Sequence, residues 1–469
     1  MTTWKIYQTM LLVLLGGSRV AGGKLNSTEN TPEGNSKGHE RDHMKFTPRV
    51  VIYGKHNHTI LKELPMLTTN DFYSLTFNLN ERFDVHLAGL QLLPGTGSNL
   101  PKELVLHLQR SAHLLSSRFV LRTFTPNGSE VVESISNEQL AQARCSYTGY
   151  VIGIALSSAA VNLCSGLEGS VTMTGIVFNI ERTLIGNEFV HFFVRADNND
   201  QEYGEACGND DRLPTDSVLK HRSKRKIQPP AGSTPKTRYL EMYVVVDEIL
   251  STEHDAVTRV IKIINYSNSL YNQLGIYITI VGIELWTHGD KLPTRLSEAD
   301  AGVILNEFIE YRRVSINPKY PNDNAQLLIG IRLKGGLVGY GTRNSMCSYR
   351  YNGGITTDWK EDYRFASTIL THELGHNFGI EHDTNKTVET YSCSTECRMT
   401  PGHSANGTST CIMAPVLTSK RHFSTPWQVY QYHVMSYHLI SYRIVLCRIV
   451  SHHNTFHNIT LSYFLLLLL

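Results

Sequence analysis

The sequence predicts an α/β region from Thr237 onward, preceded by a mostly β region over residues 46–194. Three observations carry this. After Thr237, apolar runs of strand length alternate with helix-period stripes in the order β-α-β-α-β, which implies a largely parallel sheet. Before residue 194, apolar residues alternate as in strands or fall between Gly-rich turns. Between the two regions, residues 195–236 turn polar and charged and carry Pro214, Pro229, Pro230 and Pro235, the composition of a linker.

The chain's 469 residues leave room for two or three domains, and 41% hydrophobic with 18% charged residues is ordinary globular composition. A net charge of +2 argues against electrostatic capture of nucleic acid. Lys5 followed by the apolar run Met10–Leu15, with Val20 and Gly22 at cleavage offsets, reads as a secretory signal over residues 1–22. Secretion permits disulfides among the eight cysteines. N-x-S/T sequons at Asn26, Asn57, Asn127, Asn265, Asn385, Asn406 and Asn458 fit the same route.

Residues 23–45 are a polar lead-in. Strands are expected at Val50–Tyr53, Phe72–Leu79, Leu104–Leu108 and Ser117–Leu121, all within one compact β domain. Arg222-Ser223-Lys224-Arg225, inside the linker, resembles a site for a furin-like processing protease cutting after Arg225. Tyr239–Val246, Ile276–Leu285 and Gln326–Ile331 are the strands of the α/β region. A helix over 252–274 places Val257, Val260, Ile261, Ile264 and Leu270 on one face. A second, capped by Ser297 and running to about Arg313, places Ala299, Val303, Ile304, Phe308 and Ile309 inward. Gly336, Leu337, Val338 and Gly339 read as an edge strand along which an extended peptide could pair, or as a simple turn. A helix over 362–377 has Phe365, Ile369, Leu370, Leu374 and Phe378 as core contacts. Residues 427–450 are apolar enough for a last helix. The terminal run of leucines falls far short of the ~20 residues a membrane span needs.

The chemistry concentrates in His372–Asp383, HELGHNFGIEHD. His372 and His376 are four residues apart and share one helix face, so both can bind one metal ion. Glu373 beside them is a carboxylate placed to take a proton from water. Gly379 can end the helix in a left-handed conformation and let the chain return with His382 as a third ligand. Three protein ligands with a fourth position open is the layout of a catalytic zinc site.

With these residues the chain resembles the reprolysin group of the metzincin zinc metalloproteases, the ADAM, ADAMTS and snake-venom type enzymes. The resemblance spans roughly residues 46–425. It rests on HELGHNFGIEHD, CIMAP at 411–415, NDNAQLLIG at 322–330 and RYLEMYVVVD at 238–247, with CSYTGYVIGIALSSAAVNLCSGLEGSV at 145–171 similar to the family propeptide. It implies a zincin-like domain with a twisted, mostly parallel five-stranded sheet and an active-site helix, preceded by a mostly β propeptide domain. It implies zinc on His372, His376 and His382, Glu373 as general base and Met413 in the turn beneath the metal. Cys207-Gly208 resembles the family's cysteine switch, with Cys207 the fourth ligand of the latent form. If Cys145 pairs with Cys164, Cys207 is the thiol left over, the alternative being a disulfide to the catalytic half. Calcium at Glu241 and Asp323 is implied, with salt bridges an equal alternative.

The catalytic half holds an odd number of cysteines: Cys347, Cys393, Cys397, Cys411 and Cys447. The resemblance implies Cys347–Cys447, and Cys411 with Cys393 or Cys397. Past Trp427 the text departs from the family, and no disintegrin, cysteine-rich or thrombospondin module follows. The expected organisation is signal 1–22, propeptide 23–225, protease domain 226–435 and an atypical tail 436–469. The expected function is a secreted zymogen of a zinc endopeptidase acting on extracellular proteins or peptides, with no membrane span. The alternative is a latent, truncated relative that binds proteins without cutting them.

Overall fold

The computed structural model describes residues 43–53, 59–63, 82–91, 103–154, 157–163, 166–173, 176–185, 188–195, 205–208, 237–252, 255–297, 300–359, 362–380, 382, 412–413 and 416–417. The signal, the strand at 72–79, the linker apart from residues 195 and 205–208, Arg225 with it, most of the cysteines and the stretch from Trp427 on lie outside them.

The strands are β1 (His43–Tyr53), β2 (Thr59–Glu63), β3 (Arg82–Gln91), β4 (Glu103–Arg110), β5 (Leu115–Phe124), β6 (Glu130–Glu133), β7 (Ser146–Val151), β8 (Ser158–Asn162) and β9 (Glu168–Met173). They continue with β10 (Ile176–Ile185), β11 (Glu188–Arg195), β12 (Glu205–Cys207), β13 (Arg238–Val246), β14 (Ile276–Leu285), β15 (Asn324–Ile329), β16 (Leu337–Gly341), β17 (Gly354–Thr357) and β18 (Val416–Leu417). The main helices are α1 (Asn137–Arg144), α2 (Ala256–Tyr271), α3 (Ala301–Tyr311) and α4 (Tyr363–Phe378).

Among the described residues the strands form two nine-stranded sheets. The first runs β11-β10-β9-β8-β7-β4-β3-β1-β2, and β11 also pairs with β1, so the sheet closes on itself with β2 appended. The period-two alternation has its physical outcome here. Leu104, Leu106 and Leu108 of β4 point inward with Val85, Leu87, Val171 and Phe193. Phe178 stacks on Phe193 with ring centres 4.7 Å apart.

The second sheet runs β18-β12-β16-β17-β15-β13-β14-β5-β6. Its middle is the expected five-stranded set, β13 to β17, parallel except for β16 against β17. The strands flanking it were not foreseen. Leu115–Phe124, expected inside the N-terminal β domain, leaves it and pairs in parallel with β14. Alternation marks a segment as a strand but does not say which open edge it will cover.

Helix α2 is buried on nearly every side because it lies between the two sheets. Val257, Val260, Ile261 and Ile264 join the core of the second sheet. Tyr266 and Leu270 pack on Ala160 of β8. Asn265, read as a sequon, is 4% exposed. It donates to the Tyr147 carbonyl at 3.1 Å and accepts from Ser111 Oγ at 2.7 Å, so there is no room for a sugar on it in this state. Asn127, in the turn between β5 and β6, is exposed.

Helix α3 begins after Asp300, not Ser297, and Val303 is 43% exposed. Ala301, Ile304, Leu305, Phe308 and Ile309 form the complete helical stripe, and that phase turns Val303 outward. Among the described residues no helix is long and apolar enough to cross a membrane. Cys145 and Cys347 are disulfide-bonded, whereas Cys207 is a buried thiol that forms no disulfide.

Candidate metal centre

Helix α4 carries the site. Asp362 caps it by accepting from the Arg364 N–H, and Gly379 ends it at φ 90°. A left-handed residue there lets the Gly379 and Ile380 amides satisfy the last carbonyls and turns the chain back. His382 returns by this turn to His372 and His376, and all three are buried.

The Nε2 of His376 lies 3.1 Å from the Nε2 of His372 and 3.1 Å from that of His382. Cys207 Sγ lies 3.4 Å from the same nitrogen. One donor atom from each of the four residues falls within 4.8 Å of all the others. The outer nitrogens explain the direction. Nδ1 of His376 faces the Ile380 carbonyl at 2.9 Å, and Nδ1 of His372 faces the Ile412 carbonyl. With a proton committed to each carbonyl, Nε2 of both rings is a lone pair. Lone pairs brought this close repel unless a cation sits among them. Burial lowers His376 to about 3, aided by the neighbouring His382, which keeps it in the neutral form that ligates. Three imidazoles and a thiol fit zinc by donor type, and four such ligands make a closed tetrahedral set.

Glu373 is fully buried beside these rings. A Cβ at Gly339 would stand 2.6 Å from its Oε1, and one at Gly341 would stand 2.6 Å from its carbonyl oxygen. Both glycines therefore let β16 approach the helix closely. Burial pushes Glu373 up to about 8, while hydrogen bonds from Cys207 and Gly341 and the charge of Arg343 pull it back. Met413 is 4% exposed and lies under α4, where a Cβ on Gly375 would come within 2.5 Å of its sulfur. The Ile412–Met413 turn thus both packs the helix and orients His372.

Leu337, Val338 and Gly339 lie in β16, whereas Gly336 sits in the preceding turn at φ 72°. One side of β16 pairs with β17. The other side is covered by β12, in register Ala206 to Leu337 and Cys207 to Gly339, and β12 is flanked in turn by β18. Gly208 continues this contact with an N–H to the Gly339 carbonyl at 2.9 Å. A Cβ there would meet the Tyr340 ring at 2.7 Å. Glu241 and Asp323 lie together, the Glu241 N–H donating to Asp323 Oδ2 at 2.9 Å, and the Glu241 carboxylate is ion-paired with Arg118.

Sequence reasoning passed over the amide cluster behind the site. Asn377 Oδ1 accepts from Asn324 Nδ2 at 2.7 Å and from Gln326 Nε2 at 3.1 Å. Its Nδ2 donates to the Thr342 and Gly353 carbonyls at 2.8 and 3.0 Å. This ties α4 to β15 and to the loop after β16. The available signal was two amides, Asn324 and Gln326, in a strand that is otherwise apolar and wholly buried. Asn377→Ala takes a partner from two buried amide donors and two carbonyl acceptors and is expected to cost about 2–4 kcal/mol, read from the denaturant midpoint.

Two profiles of one family match the chain. The Reprolysin (M12B) family zinc metalloprotease profile matches residues 238–437, and the Reprolysin family propeptide profile matches residues 100–152. The first match runs through Trp427, past the point where resemblance was expected to end. Zinc metalloproteinase-disintegrin-like atrase-B of Naja atra is 32% identical over 288 residues, 60% of this chain and 47% of that protein. Zinc metalloproteinase-disintegrin-like atragin of Naja atra is 31% identical, covering 60% of this chain and 46% of that protein. The chain thus spans about half the length of the curated relatives it matches. Superposition on metalloproteinase-II from Bacteroides fragilis is loose, with a TM-score of 0.36 at 13% identity over 82% of this chain and 97% of that one. The chain belongs to the reprolysin (M12B) family of zinc metalloproteases, with a family propeptide region ahead of the catalytic one.

Proposed function

We propose that the chain is the secreted zymogen of a zinc endopeptidase acting on extracellular proteins or peptides, held in its latent form. The observation that carries this reading is the convergence of Cys207 with His372, His376 and His382 on one buried point. A closed four-ligand set excludes water, and three histidines without the thiol leave one position open. Zinc bound there would supply Lewis acidity, polarising the scissile carbonyl and acidifying water.

This chain's residues would do the rest. The β16 edge would hold an extended substrate by main-chain hydrogen bonds, in the groove that β12 fills between β16 and β18. Glu373 would take a proton from the attacking water and pass it to the amine as the C–N bond breaks. His372 and His376 keep their orientation through the Ile412 and Ile380 carbonyls. We assign residues 1–22 to a signal, 23–225 to the propeptide, 226–435 to the protease domain and 436–469 to a tail, with cleavage after Arg225 by a furin-like protease. Calcium at Glu241 and Asp323 would have to displace Arg118, so it belongs to the chain freed of its propeptide. A disulfide from Cys347 to Cys447, and one from Cys411 to Cys393 or Cys397, complete the assignment.

The test is zinc content and peptide hydrolysis before and after a cut following Arg225, with the propeptide removed. One zinc per chain throughout, with hydrolysis only after removal, is expected. A folded, zinc-loaded, propeptide-free chain that cuts no peptide in a diverse library would favour the non-catalytic binding protein instead.

A further inference from the structure

The propeptide grips the catalytic sheet at both edges, and only one grip involves the metal site. At one edge β12 brings Cys207 to the histidines. At the other, β5 adds in parallel to β14, pairing Val120 with Gly282, Leu121 with Ile283 and Arg122 with Glu284. Six strand spacings separate β12 from β5, about 29 Å at the usual ~4.8 Å per strand.

The distant grip is built around a buried charge. Glu284, on β14, is wholly inaccessible to solvent. Tyr243 Oη donates to it at 3.1 Å and Trp286 Nε1 at 2.7 Å, and Tyr311 donates a third hydrogen bond. None of these donors carries a positive charge. The propeptide supplies it: Arg122 is 5% exposed and its Nη1 donates to Glu284 Oε2 at 2.6 Å. The rest of the guanidinium lies over the Phe124 and Tyr320 rings, with centres 4.9 and 5.7 Å away, and bonds Glu130 of β6 through Nη2 at 3.2 Å. Glu130 in turn accepts from Tyr320 Oη at 2.6 Å and pairs with Lys319. Leu114 and Leu121 sink into the same core cluster as Leu240, Val244 and Ile278 of the catalytic sheet. Gly282 allows the fit, since a Cβ there would lie 2.4 Å from the Tyr243 ring and 3.1 Å from Val120.

We propose that the β14 edge with its Glu284 socket is a docking surface for an extended, arginine-bearing strand, and that it retains the propeptide hairpin 115–133 after the chain is cut following Arg225, without help from Cys207 or the metal. This deepens the zymogen reading and rests on it. Cleavage removes one covalent connection and leaves both edge grips, together with the packing of β7 and β8 on α2, on a single propeptide fragment. When Cys207 lets go, the hairpin keeps β12 close to its groove, and β12 rebinds as a tethered segment. Release therefore requires opening the Arg122–Glu284 pair. Taking one partner away leaves the other charge buried and uncompensated, which is among the costlier single changes a protein interface can suffer.

The experiment uses the full chain carrying Cys207→Ser, cut after Arg225 and passed over a sizing column, with the affinity of the two fragments measured. Co-elution is expected, and adding Arg122→Met should weaken the affinity on the order of a hundredfold. If that variant does not fold, Arg122→Lys keeps the charge but loses the fork, and about tenfold weakening is expected. Separation of the Cys207→Ser fragments on cutting would overturn the proposal. So would an affinity unmoved by either Arg122 substitution. Association is read by size and not by hydrolysis, so a chain without peptidase activity still answers the question.

Discussion

Glu373→Gln is expected to lower kcat/KM for peptide hydrolysis by about 10²–10⁴-fold, the usual weight of a general base, with zinc content and fold unchanged. The side chain is fully buried in a slot shaped by Gly339 and Gly341, neither of which could carry a Cβ without striking Glu373. Glutamine has the same size and fills the same slot. Glu373 is not one of the four donors that converge, Cys207, His372, His376 and His382, so the substitution leaves the donor set intact. What it loses is the ability to accept a proton and deliver it to the leaving amine. The comparison is made on chain cut after Arg225 and stripped of propeptide, with zinc measured on the same sample. Hydrolysis within tenfold of wild type would assign the base to another group.

His376→Ala is the second large effect. Its Nε2 is the hub of the donor set, 3.1 Å from each of the other two ring nitrogens and 3.4 Å from Cys207 Sγ. Removing it leaves His372, His382 and Cys207 around a hole on one side. Changes to groups that merely orient a ligand cost roughly 10–100-fold in metal affinity, and loss of the central ligand should exceed that. Zinc affinity measured against a competing chelator is expected to fall more than a hundredfold, and hydrolysis with it. An affinity within tenfold of wild type would mean that the metal is held elsewhere.

The centre was legible because its spacing is local. Two histidines four apart fall on one face of any helix, and Gly379 announces the left-handed turn that brings back His382. Helix α4 accordingly lies within one residue of its expected bounds. What sequence could not supply was long-range partnership. Leu115–Phe124 alternates as a strand should, yet its partner, β14, begins more than a hundred residues further on. Asn265 fits a glycan acceptor by its three-residue motif, and only the packing of α2 between two sheets shows it buried. Gly375 reads as a blank in the histidine motif until Met413 is found beneath it. A short apolar run leaves the helical phase open by one position, and Val303, expected inward, faces solvent.

The most direct test of the central claim, a zinc site closed by the propeptide's own thiol, is zinc-edge X-ray absorption on the uncut chain. Three nitrogen scatterers at about 2.0–2.1 Å and one sulfur at about 2.3 Å are expected, with the sulfur lost in Cys207→Ser. A shell of nitrogen and oxygen alone in the wild-type chain, or sulfur that persists in Cys207→Ser, would contradict it.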